Sequence, residues 1–181
     1  MRNLLSFLWE VSKIIIIALV VVVPIRYFLF QPFIVKGASM EPNFHSGDYL
    51  IIDEISYRFS QPQRGDVIVF KFPQDPSQRY IKRIIGLPGD TIEIRSDKII
   101  ISRGDENQVL DESFYLPKSF HTLGELKESL KDGEYFVLGD NREFSSDSRR
   151  WGLVSRGFII GRVFLRAWPV AALAKIEAPA Y

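Results

Sequence analysis

Ten consecutive apolar residues, Ile14 to Val23, constrain this chain more than any other feature. A helix with no polar position needs apolar surroundings on every side, so such a run belongs inside a large core or in lipid. The uncharged stretch Ile14 to Ile25, between Lys13 and Arg26, is shorter than the roughly 20 residues a spanning helix needs. Snorkelling of Lys13 and Arg26, with Trp9 and Tyr27 at the interfaces, extends the span to about Val11–Phe30. Residues 1–31 are therefore expected to form a single transmembrane anchor, with the lipid bilayer as partner. A cleavable leader is the competing reading, with Val35 and Gly37 as the small residues before a cut at Ala38. The stretch from Pro24 to Gly37, with Arg26, two prolines and bulky aromatics, is too long for that. Charge does not orient the anchor, because Arg2 and Lys13 on one side are matched by Arg26 and Lys36 on the other.

Residues 32–181 suffice for one domain around one core. Phe33–Val35 reads as an extended piece after Pro32, and Gly47-Asp48 feeds a strand over Tyr49–Ile52. The same pattern returns at Gly65-Asp66 before Val67–Phe72, and at Tyr80–Ile85 before the turn Gly86–Asp90. Thr91–Ile94 alternates inward and outward residues. Short strands punctuated by Gly, Pro and Asp predict a mainly β domain. Between residues 95 and 131 the chain is more polar. Lys98–Ser102 is expected to pair with Ile92–Ile94 through a turn at Ser96-Asp97, and Leu123–Leu130 to form one or two helical turns. This region reads as a surface hairpin with an insertion and little functional content. Glu134–Leu138 is a strand, 139–150 a polar loop closed by Trp151-Gly152, and Phe158–Leu165 the final strand.

Lys+Arg 23 against Asp+Glu 22 leaves a formal charge of +1, and no basic cluster is interleaved with aromatics, so a nucleic-acid partner is not expected. The lack of cysteine removes thiolate metal sites, disulfides and cysteine catalysis. Only His45 and His121 supply imidazole, without metal-binding spacing, so neither metal nor cofactor is expected.

A hydrolase built from these residues needs paired carboxylates or a serine activated by something other than histidine. Ser39, in Gly37-Ala38-Ser39-Met40-Glu41-Pro42, is one candidate, although serines beside glycine are commonly turn residues. Lysine can serve as the base only when neutral, which requires burial to lower its pKa by several units. Lys82, in Tyr80-Ile81-Lys82-Arg83-Ile84-Ile85, lies mid-strand among apolar residues. Alternation sends Lys82 and Arg83 to opposite faces, so one can point inward while the other stays in water. A strand lysine is also an ordinary solvated residue, and 139–150 an ordinary surface turn. Their joint occurrence on an anchored β domain raises all three.

Four blocks in one order, GASMEPNF at 37–44 with GDYLII at 47–52, RGDVIVFKFP at 64–73, YIKRIIGLPGD at 80–90 and GDNREFSSDSRRWG at 139–152, resemble the bacterial type I signal peptidases. These are membrane-bound Ser/Lys endopeptidases that remove signal peptides from exported preproteins. The resemblance implies a repressor-protease-like β fold for 32–181, with 95–131 a short version of a variable region. It implies Ser39 as nucleophile, Lys82 as general base, Ser145 as the residue hydrogen-bonding the lysine amine, and Asp147 with Arg149 as a supporting pair. The Ser39 N–H would be one oxyanion donor. Some members carry a serine two residues before the nucleophile as the second donor, where this chain has Gly37.

The resemblance also implies cleavage after Ala-X-Ala, with the substrate bound as an extended strand. Phe33, Val35, Met40, Leu50, Val69, Tyr80 and Ile81 match the lining of the small-residue pockets. Preproteins and the bilayer are the implied partners, the chain is expected to be monomeric, and the catalytic domain is expected outside the cytoplasm with the N-terminus inside. A self-cleaving repressor is the rival chemistry, but it would usually carry a DNA-binding segment, and none is visible. A silent binding module is the rival of another class, against which Ser39 and Lys82 both argue.

Overall fold

The computed structural model describes residues 2–24, 30–117 and 119–179. Helix α1 spans Arg2–Pro24. Ile14, Ile15, Ile16 and Ile17 are each more than half exposed, so no face of this segment packs on the rest of the protein. Among the described residues no helix is long and apolar enough to cross a membrane. Arg26 and Tyr27, expected to flank the apolar span, lie outside the described residues.

Two antiparallel sheets follow. The larger contains β1 (Phe30–Ile34), β2 (Tyr49–Asp53), β3 (Val67–Phe72), β4 (Asp75–Gly86), β9 (Glu134–Leu138), β10 (Val154–Ser155) and β11 (Ile159–Trp168). Its order is β1-β2-β11-β3-β4-β9-β10, with β12 (Ala174–Lys175) added against β11. Strand β3 is central and buried on both faces, which explains its unbroken Val-Ile-Val-Phe run. Val67 and Val69 join a core with Met40, Leu50 and Ile81, whereas Ile68 and Phe70 join another with Ile84, Tyr135 and Val137.

The smaller sheet, ordered β7-β6-β5-β8, contains β5 (Thr91–Arg95), β6 (Lys98–Arg103), β7 (Glu106–Val109) and β8 (Leu126–Ser129). The predicted hairpin is present, with Ser96 and Asp97 at φ 48° and 63°, the left-handed pair that a two-residue turn requires. A third core, including Ile85, Ile92, Ile94, Phe136 and Leu138, joins the two sheets.

Three expectations are corrected. Leu123–Leu130 is not helical: Leu126–Ser129 pairs with β5, and Leu126 packs on the shared core. Local helix propensity yields here to an open strand edge and an apolar contact. Arg83 is not in water, being as buried as Lys82, because a carboxylate reaches it from a distant loop. The polar loop 139–150 contains a one-turn helix, α2 (Ser148–Trp151), capped by Asp147.

Candidate active site

The segment after β1 turns sharply at Gly37, whose φ of 85° disfavours any side chain. Ser39 follows, half-buried, and Met40 beneath it is fully buried in the core. Lys82 rises from the middle of β4, and its Nζ lies 2.6 Å from Ser39 Oγ. The same Nζ donates to the Ile81 carbonyl at 2.8 Å. Lys82 is only 3% exposed, and among the described residues no carboxylate lies within ion-pair distance of it. Burial lowers its pKa to about 8, while the more distant Asp147 and Asp140 act in the raising direction. An amine with that pKa is roughly one-tenth neutral at pH 7, against a few molecules in ten thousand for free lysine.

The polar loop after β9 holds the serine segment in place. Asn141 donates its backbone N–H to the Ser39 carbonyl at 3.1 Å and its side-chain amide to the Ala38 carbonyl at 3.0 Å. Gly139 packs so closely that a Cβ there would lie 2.4 Å from the Ser39 carbonyl oxygen and 2.1 Å from Ser145 Oγ. Only glycine fits, for lack of space. Asp147 accepts from the Gly139 N–H at 3.1 Å and from Arg149 Nε at 2.8 Å, so the expected Asp147–Arg149 pair braces this loop from below. Arg149 also donates to the Arg142 carbonyl at 2.6 Å.

Ser145 is brought next to the site, behind Gly139, but does not bond to Lys82. Its hydroxyl is buried without a hydrogen-bond partner among the described residues, and the lysine amine is directed to Ser39 and the Ile81 carbonyl. Of the seven expected pocket residues, Phe33, Tyr80 and Ile81 line a cleft of about 690 Å³ that also contains Ser39 and Lys82. Val35, Met40, Leu50 and Val69 lie in the core beneath, each at most 2% exposed. Among the described residues no group of acidic, His or Cys side chains could hold a metal ion.

Several positioning residues were not singled out from sequence. Asp140 accepts from Arg83 Nε at 2.9 Å and Nη2 at 2.7 Å, and from Asn43 at 2.8 Å, tying β4 to the serine segment. Arg142 is 2% exposed and donates to the Glu112 carboxylate, to Thr122 and to the Gly139 carbonyl. Glu112 and Thr122 belong to the 95–131 region, so that region braces the site rather than standing apart. An available signal was charge itself, because a basic residue inside an apolar strand requires a buried partner.

A serine hydroxyl in contact with a buried lysine, at the edge of a cleft between strands, can carry out acyl transfer. The family described as signal peptidase, peptidase S26, matches residues 8–168. A probable signal peptidase I-2 of Synechocystis is 37% identical over 167 residues, covering 89% of this chain and 73% of its own. Signal peptidase I of Leptolyngbya laminosa is 37% identical over 181 residues, covering 96% and 86%. Signal peptidase IB of Staphylococcus aureus is 32% identical over 173 residues, covering 89% and 88%. The chain therefore belongs to the signal peptidase family of serine peptidases, peptidase S26.

Proposed function

We propose that this protein is a membrane-anchored endopeptidase that cuts signal peptides from exported preproteins, with Ser39 as nucleophile and Lys82 as general base. The observation that carries the reading is the 2.6 Å contact between Lys82 Nζ and Ser39 Oγ, made by a lysine that burial drives toward the neutral form. Neutral Lys82 accepts the hydroxyl proton as Ser39 Oγ attacks the scissile carbonyl, then returns that proton to the leaving amine. Water, deprotonated by the same amine, releases the acyl product. The Ser39 N–H, which donates to no acceptor among the described residues, suits the role of oxyanion donor. Gly37 offers no hydroxyl as a second donor, so a backbone N–H or a water takes that place.

Cleavage after Ala-X-Ala fits a cleft whose walls are Phe33, Tyr80 and Ile81, with the preprotein laid alongside β1 and β4 as an added strand. The exposed apolar side chains of α1 suit lipid, and an anchor there would hold the enzyme where a signal peptide leaves the bilayer, raising its effective concentration. We place the N-terminus in the cytoplasm and the β domain outside it. Purified protein in detergent is expected to cut a preprotein at an Ala-X-Ala site, and Ser39→Ala and Lys82→Ala each to lower the rate by at least ~10³-fold. Unchanged cleavage by Lys82→Ala would remove lysine from the mechanism.

A further inference from the structure

Phe144 is 76% exposed, although Arg142 before it and Ser145 after it are buried. Its N–H is held by Asn141 Oδ1 at 3.4 Å, and Asn141 in turn holds the Ala38 and Ser39 carbonyls. The backbone at Phe144 is therefore tied to the serine segment, and the side chain lines the same cleft as Ser39 and Lys82. Covering a phenylalanine side chain removes apolar surface from water, a gain that the folded chain forgoes here and a bound chain would realise.

We propose that Phe144 is a specificity-determining residue that receives the side chain immediately after the cut and favours an apolar one. This rests on the endopeptidase reading above. Side chains of an extended chain alternate. If the two small ones before the cut face the cleft floor, the residue between them and the residue after the cut both point toward the rim. Phe144 belongs to the rim. The loop that carries it is tied through Asn141 and Gly139 to the Ser39 end of the cleft, where the cut falls on this reading. The residue after the cut is the one within its reach.

The test uses full-length protein in detergent and two sets of preproteins, one varied at the residue after the cut and one at the residue between the two small ones, each as Ala, Leu or Phe. Wild-type protein is expected to prefer Leu and Phe to Ala after the cut. Phe144→Ala should lower that preference in kcat/KM about tenfold, mainly through KM, and Phe144→Leu should keep most of it. The proposal is overturned if wild type shows no such preference, if Phe144→Ala slows all substrates equally, or if it alters selection at the intermediate residue instead. Failure of wild type to cut any substrate would defeat the endopeptidase reading itself, a result distinct from these.

Discussion

Lys82 and Arg83 are neighbours on β4, almost equally buried, and their surroundings are opposite. Arg83 meets the Asp140 carboxylate at two points and the Gly65 carbonyl at a third. Its charge is compensated in place, and the pair joins β4 to the loop after β9. Among the described residues Lys82 hydrogen-bonds a hydroxyl and a carbonyl and lies over the Tyr80 ring, and the carboxylates that influence it act from a distance. The first arrangement fixes structure. The second makes the charged form costly and so favours the neutral amine that the proposed mechanism needs. Burial alone does not decide what a cation does; the presence or absence of a contacting carboxylate does.

Removing the carboxylate from the first centre tests this most severely. Asp140→Ala should destabilise the protein by about 3–5 kcal/mol in denaturant unfolding, because a buried cation loses its counter-charge. A loss below 1 kcal/mol would mean that the Arg83 centre holds nothing together. Removing the cation from the second centre should act in the opposite direction. Lys82→Met should abolish cleavage yet stabilise the fold below pH 8 by roughly 1–3 kcal/mol, since burying a charged amine is no longer required. The sign follows from linkage. With the folded pKa near 8 and the unfolded value near 10.5, the native state binds fewer protons between these limits, so wild-type stability rises with pH across that window. The advantage of Lys82→Met should be constant below pH 8 and shrink above it. Destabilisation by this substitution would show that the lysine is held as a structural cation like its neighbour.

Much of this contrast was legible in the sequence, and its missing half has a physical reason. Strand β3 runs over the same residues that its apolar pattern predicts, because a strand buried on both faces reads as one continuous apolar run between turn residues. Ser39 and Lys82 were marked by residue type and neighbours, and the structure brings them together. Arg83 was expected in solvent because its partner lies 57 positions later in a polar loop, and local alternation carries no information about what fills the opposite face. The same holds for Arg142, whose partners Glu112 and Thr122 come from the stretch that looked least ordered. Strand β8 was missed because Glu, Leu and Lys favour a helix until a neighbouring edge is available.

That burial without a contacting carboxylate makes Lys82 a base near neutral pH is our proposal, and the pH dependence of kcat/KM for preprotein cleavage tests it most directly. Activity should rise with pH through an apparent pKa of about 8, following deprotonation of Lys82. An acid limb at the ordinary lysine value near 10.5, or a rate that stays level down to about pH 5, would contradict it.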